Sequence, residues 1–169
     1  MAGTPAAGTG GRGIGRAYAL LFAERGASVI VNDLGSSIGG RGEDVGPASE
    51  VAAEIVGAGG AAVADGNDVA SPAGGKALID GAVEQFGRID ILVNNAGIIR
   101  WAGMPDVDLD NLERHLAVHV AGSFNTTRAA WPHLVEQGYG RIVMTTSAGM
   151  FGLPANLGYA AAKGGVVGM

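Results

Sequence analysis

Apolar residues along the chain follow two patterns, short continuous runs and longer runs with a helical period. The continuous runs, rich in Val, Ile, Leu and Ala, predict four strands, at 27–33, 60–67, 89–94 and 141–145. Helically spaced apolar residues predict five helices, at 13–25, 47–58, 71–86, 108–137 and 159–168. Short, nearly continuous apolar strands are typical of a parallel sheet covered on both faces. The alternation therefore predicts βαβ units and a doubly wound α/β fold of Rossmann type.

The two ends of the chain depart from this pattern. A Rossmann-type sheet needs an apolar strand before its glycine loop, but residues 3–7 read Gly-Thr-Pro-Ala-Ala, and proline is disfavoured in central strands. The last predicted helix has barely begun at Met169. We therefore expect a single domain, residues 1–169, that is truncated: its first strand is degenerate and its C-terminal strands and helices are absent. Residues 34–46 are expected to form a flexible surface loop.

Composition narrows the function classes. The chain has 169 residues, of which 47% are apolar, enough for one buried core. Its formal net charge is -5 without a basic run, which argues against nucleic acid and anionic membrane as partners. No apolar stretch approaches the roughly 18 residues of a membrane span, and the N-terminus lacks the pattern of a signal peptide. Cysteine is absent, which excludes thiolate chemistry. We expect a cytoplasmic protein that acts on small molecules.

A glycine-rich segment lies directly before the first predicted helix. Glycines allow a tight turn and a close approach of the backbone to a pyrophosphate, which the helix N-terminus then favours. Because the chain contains 31 glycines, an ordinary glycine turn is the competing interpretation. The residues predicted to bind a dinucleotide here are Gly10, Gly11, Arg12, Gly13, Ile14 and Gly15.

Asp33 strengthens the dinucleotide interpretation. It ends a predicted strand 18 residues after Gly15, close to the offset of about 20 residues expected for an acid that holds the adenosine ribose. A carboxylate accepts hydrogen bonds from the ribose diol and repels a 2′-phosphate, so NAD is favoured over NADP. Arg12 argues for NADP instead, because a basic side chain in the loop could bind the 2′-phosphate. The competing interpretation of Asp33 is a solvated carboxylate at a strand end.

A phenol and an ammonium stand four residues apart near the end of the chain. Tyr159 and Lys163 share one face of the last predicted helix. A free phenol is a poor base at neutral pH, and a nearby cation lowers its pKa, so the pair could act as a general acid/base. A surface helix pair is the competing interpretation. Thr145-Thr146-Ser147 ends a strand, where hydroxyls would reach the cleft at the sheet edge.

The order and spacing of these motifs resemble the short-chain dehydrogenase/reductase family from about Gly10 onward. The resemblance rests on the glycine loop, Asp33, Asp68-Val69, Asn94-Asn95-Ala96-Gly97, Ser147 and the Tyr159/Lys163 pair. Within the family, three stretches are most similar to the hydroxyacyl-CoA dehydrogenase part of the peroxisomal multifunctional enzymes of type 2 and to bacterial relatives: 15–20, 31–35 and 128–131.

The resemblance implies an NAD-dependent oxidoreductase that interconverts a secondary alcohol and a ketone. Tyr159 would be the catalytic acid/base, Lys163 would lower its pKa and bind the nicotinamide ribose, and Ser147 would hold the substrate oxygen. Asp68 and Val69 would flank the adenine. Asn94 would steady the strand beside the adenosine, and Ala96 and Gly97 would line the cofactor cleft. A 3-hydroxyacyl-CoA or a steroid is an expected substrate.

Three positions depart from the family pattern. Thr9 stands where the loop of the family, Thr-Gly-x-x-x-Gly-x-Gly, has glycine, and its β-carbon would crowd that position. His119 stands where the family often has a catalytic asparagine. Ser147 precedes Tyr159 by 12 residues, one fewer than usual, so Thr146 is the alternative for the serine role.

Other features leave alternatives open. His115 and His119 have the spacing of metal ligands but no third ligand is evident, so no metal is predicted. Trp101 and Met104 could line a substrate pocket or simply pack. The apolar face of the long helix predicts a homo-oligomer in an intact relative. The rival functions are a catalytically inactive fragment or non-catalytic NAD-binding remnant, and an NAD-sensing protein on the same fold.

Overall fold

A computed structural model of the chain describes residues 5–9, 11–40, 42 and 45–169. Five strands form one sheet in the order β3-β2-β1-β4-β5, and every pairing is parallel. The strands are β1 (Ala6–Thr9), β2 (Ser28–Asn32), β3 (Ala61–Asp65), β4 (Ile91–Asn94) and β5 (Arg141–Met144). The predicted α/β fold with a doubly wound parallel sheet is confirmed.

Helices connect successive strands. The α-helices are α1 (Gly13–Glu24), α2 (Gly46–Gly57), α3 (Pro72–Phe86), α4 (Leu109–His115), α5 (Gly122–Gln137) and α6 (Leu157–Val167). The side chain of Ser71 accepts a hydrogen bond from the Gly74 N–H and caps α3, and Pro72 follows it. A proline at the first helical position needs no N–H, so this sequence fixes where the helix begins.

The single helix predicted over 108–137 is interrupted. A π-helical segment, Leu116–Ala121, separates α4 from α5. The π segment adds residues to a turn without removing the apolar face, so periodicity alone does not reveal it. Such segments are frequent at functional sites, and this one carries His119.

The degenerate first strand forms at the centre of the sheet. Ala6 and Ala7 are fully buried between β2 and β4, and Ala6 pairs with Val29 on one side and Ile91 on the other. Pro5 stands just before the strand, where its carbonyl accepts from the N–H of Ile91. Two features compensate for the small side chains of β1. Its backbone pairs with a strand on each side, and these neighbouring strands supply the larger apolar groups.

Two apolar layers enclose the sheet. Ile30 and Leu92 face α3 and α5 and pack with Leu78. Val29 and Val31, whose side chains alternate with that of Ile30, face α1 and α2. No helix in the described part of the chain is long and apolar enough to cross a membrane.

Candidate active site

The glycine loop joins β1 to α1 at the carboxyl edge of the sheet. A β-carbon on Gly11 would lie 2.5 Å from the Pro47 carbonyl carbon, so only glycine fits there. Gly13 has a φ of +54°, which favours glycine. Arg12, in an extended conformation, is the N-cap of α1, and its side chain makes no capping hydrogen bond. The backbone thus forms a tight turn directly before the N-terminus of α1.

Some predicted loop residues point elsewhere or lie outside the description. Gly15 is buried against the sheet, while Ile14 is 60% exposed. Gly10 and the side chain of Thr9 lie outside the described residues, so the expected crowding at Thr9 stays a prediction.

Asp33 follows β2 and faces the glycine loop. One carboxylate oxygen accepts from the Gly11 N–H at 2.7 Å, and the other accepts from the Gly35 N–H at 2.7 Å. The carboxylate therefore fixes the glycine turn and the start of the next loop at the same time. A half-buried carboxylate with two short hydrogen bonds is held in one orientation, and this positioning role was not predicted from the sequence.

A cleft of about 360 Å³ opens beside Asp33. It contains six of the predicted cofactor residues: Arg12, Asp33, Asp68, Val69, Ala96 and Gly97. The prediction missed Arg114, on α4, and the loop 36–40, which also line it. The carbonyl of Ile38 in this loop accepts from the Ile99 N–H at 2.8 Å. Residues that follow four strands, β1 to β4, thus meet Arg114 of α4 at one edge of the sheet.

Asn94 lies at the end of β4 but does not line this cleft. Its side-chain oxygen accepts from the Thr126 hydroxyl at 2.6 Å, and its amide donates to the Thr127 hydroxyl at 3.1 Å. Both threonines are on α5. Asn94 therefore joins β4 to α5, and it holds in place the loop that begins at Asn95.

Lys163 lies under the end of β5. Only 4% of the residue is exposed, and its ammonium donates to the Thr145 carbonyl at 2.6 Å. Burial lowers the pKa of Lys163, because it removes the ammonium from water. The ammonium is 5.6 Å from the centre of the Tyr159 ring, so cation and phenol are neighbours as predicted.

The hydroxyl groups after β5 have different surroundings. Thr146 donates to the Lys163 carbonyl at 3.1 Å, which anchors α6 to the strand. Ser147 instead caps the short 3-10 helix Ala148–Phe151 by accepting from the Gly149 N–H. A β-carbon on Gly149 would lie 3.1 Å from the Tyr159 ring and 3.4 Å from the Ser147 oxygen. The Ser147 hydroxyl and the Tyr159 ring are therefore close to the same glycine.

His119 connects the cleft to Tyr159. Its ring lies 5.3 Å from the Tyr159 ring, edge to face, and a β-carbon on Gly97 would lie 2.6 Å from it. His119 is 2% exposed, and burial lowers its pKa to about 4. From the sequence, His119 is only a departure from the family pattern, because its location between Gly97 and Tyr159 depends on the π turn.

The histidine pair does not resemble a metal centre. Within residues 5–9, 11–40, 42 and 45–169, no three potential ligands lie close enough together to hold a metal ion. His115 and His119 instead direct ring nitrogens at backbone groups.

Comparison with known proteins agrees with this architecture. A family model described as short chain dehydrogenase matches residues 7–169. The chain is 50% identical over 163 residues to the peroxisomal multifunctional enzyme type 2 of Mus musculus, covering 94% of this chain and 21% of that protein. It is 45% identical over 160 residues to a short-chain type dehydrogenase/reductase of Mycobacterium tuberculosis, covering 94% of this chain and 56% of that protein.

A solved structure matches equally well. The crystal structure of a short chain dehydrogenase from Mycobacterium avium superposes with a TM-score of 0.88 at 43% identity, covering 98% of this chain and 61% of the other. The chain thus spans less than two thirds of the length of each of these relatives. The family match extends over nearly the whole chain and coincides with the strands and loops that form the site. The chain therefore belongs to the short-chain dehydrogenase family.

Proposed function

We propose that this chain binds NAD and interconverts a secondary alcohol and a ketone, with Tyr159 as the acid/base. One observation carries the proposal. The Asp33 cleft and the Tyr159/Lys163 pair lie at the same carboxyl edge of the sheet, joined by contacts of Gly97 with His119 and of His119 with Tyr159. Ligands of open α/β sheets bind at this edge, where the strand order reverses, here between β1 and β4.

The cleft suits the adenosine half of a dinucleotide. Asp33 is held by the Gly11 and Gly35 N–H groups and offers a fixed carboxylate to a ribose diol. The same carboxylate would repel a 2′-phosphate, which supports NAD over NADP. Arg12 and Arg114 also line the cleft and are the residues that would favour NADP. A solved NAD+-bound xylitol dehydrogenase superposes on the chain with a TM-score of 0.87 at 32% identity.

The proposed roles of the reactive residues follow from their positions. Tyr159 would exchange a proton with the substrate oxygen, and the buried ammonium of Lys163 would stabilise the phenolate form. Ser147 would bind the same substrate oxygen, a role that its position beside Gly149 favours over that of Thr146. NAD, when bound, supplies the hydride acceptor.

The substrate would have an apolar part. Trp101 and Met104 are 63% and 76% exposed, which argues against the packing interpretation. Their loop meets the loop before α6 through a bridge between Ala102 and Asn156, one turn from Tyr159. A 3-hydroxyacyl thioester or a steroid fits this environment. Relatives include a protein named 3-oxoacyl-[acyl-carrier-protein] reductase from Synechocystis, 39% identical over 158 residues.

The test is NADH formation from a panel of secondary alcohols, including 3-hydroxyacyl-CoA esters and hydroxysteroids. Tyr159→Phe should abolish turnover and leave NAD affinity unchanged. Tyr139→Phe removes a phenol outside the site and should retain full activity. Equal turnover by Tyr159→Phe and wild type would show that the proton comes from another group.

The alternative is a chain that binds NAD without turnover. NAD binding by calorimetry, together with no NADH from any alcohol of the panel, would support it. The cytoplasmic location and the homo-oligomer both stay predictions. Sedimentation velocity would test the oligomeric state.

A further inference from the structure

A polar bridge of three side chains, Asn32, Asp65 and Asn67, joins the ends of β2 and β3. Asn32, the last residue of β2, is only 2% exposed, although the three residues before it are Val, Ile and Val. Its side-chain amide donates to the Asp65 carboxylate at 2.5 Å and to the Asn67 carbonyl at 2.9 Å. A buried amide costs free energy unless it is paired. The bonds to β3 and to the turn after it therefore explain a polar residue at this buried position.

Asp65 is the centre of the polar bridge, because both of its carboxylate oxygens accept hydrogen bonds. One oxygen accepts from the Asn32 amide and from the Asn67 N–H at 3.1 Å, and the other accepts from the Asn67 side-chain amide at 2.6 Å. The backbone carbonyl of Asp65 also accepts from the Asp33 N–H at 3.0 Å. An ordinary turn needs only the bond to the N–H two residues on. The other bonds tie the turn after β3 to the end of β2.

The two segments that the polar bridge joins both line the cleft of about 360 Å³. Asp33 directly follows β2, and the segment 67–70 follows β3. This segment is also held at its other end, because the Asn125 amide of α5 donates to the carbonyls of Val69 at 3.1 Å and Ala70 at 3.2 Å. The segment 67–70 is therefore fixed to β2 through the bridge and to α5 through Asn125.

We propose that Asp65 is a positioning residue: with Asn32 and Asn67, it fixes the distance between the Asp33 carboxylate and the segment 67–70. This inference rests on the function proposed above and concerns its adenosine subsite, where Asp33 would bind the ribose and the segment 67–70 the adenine. A ligand that contacts both sides binds best at one separation of them. A separation that exists before binding avoids the free-energy cost of ordering a loop around the ligand. The bridge therefore favours ligands that carry adenosine, such as AMP and NAD.

The bridge requires a central side chain that only accepts hydrogen bonds. All three groups that meet the Asp65 carboxylate are N–H donors, so Asp65→Asn, which has nearly the same shape, places a donor against a donor. Asp65→Asn combined with Asn67→Asp keeps the net charge and restores the bond between the two side chains with its direction reversed. Asn32→Leu keeps the side-chain volume and removes the donation from β2. Asp80→Asn, which removes an exposed carboxylate from α3, is the control.

The experiment measures the affinity of each variant for AMP, NAD and nicotinamide mononucleotide by calorimetry. AMP contains the adenosine unit alone, and nicotinamide mononucleotide lacks it. Amide hydrogen exchange is measured for 66–70 without ligand, and kcat and the KM for NAD are measured with an alcohol that the wild type oxidises. Far-UV circular dichroism verifies that each variant is folded.

For Asp65→Asn and for Asn32→Leu we expect AMP and NAD to bind about tenfold more weakly, the equivalent of about 1.4 kcal/mol, and exchange in 66–70 to accelerate. The affinity for nicotinamide mononucleotide should be unchanged, and the KM for NAD should rise while kcat changes little. The combined variant should recover most of the AMP affinity, and Asp80→Asn should match the wild type. A merely structural defect would instead lower kcat through the folded fraction and weaken both mononucleotides alike.

Equal AMP affinity in the wild type and in folded Asp65→Asn overturns the proposal, and so does an equal loss of affinity for AMP and nicotinamide mononucleotide. If Asp65→Asn does not fold, the same comparison with Asn32→Leu decides. A wild type that binds no AMP also overturns the proposal, because the adenosine subsite would not exist. NAD binding without NADH formation contradicts only the proposed function, since the AMP affinities still report on the bridge.

Discussion

Acidification should destabilise this chain through His119 at a pH where most carboxylates are still ionised. In the folded chain, burial lowers the pKa of His119 to about 4, from a reference value of 6.5. The unfolded chain therefore binds a proton at this site as the pH falls below about 6.5, whereas the folded chain does not. The free energy of unfolding should decrease as the pH falls from about 6.5 to about 4, and it should rise again on return to neutral pH.

The magnitude follows from the size of the shift. One pKa unit corresponds to about 1.4 kcal/mol, so the full shift corresponds to about 3 kcal/mol at pH 4. This is a large share of the 5–15 kcal/mol that is typical of folded domains. His115 contributes in the same direction, because burial also lowers its pKa.

The assay is urea unfolding followed by circular dichroism between pH 4.5 and 7.5, for wild type and His119→Gln. Glutamine does not titrate, so the variant should lose less stability than wild type across this interval, with the remaining slope partly due to His115. His133→Gln controls for the change in histidine content. Parallel loss of stability in wild type and His119→Gln would refute the reasoning, because it would show that another group binds the proton.

Three further predictions concern the site. Asp33→Asn should weaken NAD binding about tenfold, roughly the contribution of one charged hydrogen bond, and should narrow the NAD/NADP preference; calorimetry that shows an unchanged preference would mean that Asp33 is not at the ribose. Gly158→Ala should cost about 1–3 kcal/mol of unfolding free energy through overpacking against Asn111 and His115, and an unchanged urea midpoint would contradict the close contact. Ser147→Ala should lower kcat more than Thr146→Val does; the reverse order would assign the serine role to Thr146.

The sheet could be predicted because its strands carry their own signal. Continuous β-branched runs identify β2, β4 and β5 to within two residues at each end, and the parallel arrangement follows from the helices between them. The strand β1 carries almost no such signal. Its stability comes from two backbone ladders and from apolar groups on β2 and β4, so it depends on long-range contacts that local composition does not contain.

The residues of the proposed site could be named from the sequence, whereas their contacts could not. The Tyr159/Lys163 spacing and Asp33 identify both halves from the sequence. The bonds from Asp33 to the Gly11 and Gly35 N–H groups, and the burial of Lys163 under Thr145, depend on how loops from different strands meet. The position of His119 depends on a π turn that shifts the helix register without changing its apolar pattern.

The central claim is that one bound NAD spans from the carboxylate of Asp33 to the phenol of Tyr159. A crystal structure of the chain with NAD tests this claim most directly. The account predicts that the adenosine ribose binds at Asp33. It predicts that the dinucleotide passes Gly97 and that its nicotinamide lies beside the Tyr159 hydroxyl. A dinucleotide bound with its nicotinamide away from Tyr159, or bound outside the cleft beside Asp33, would contradict it.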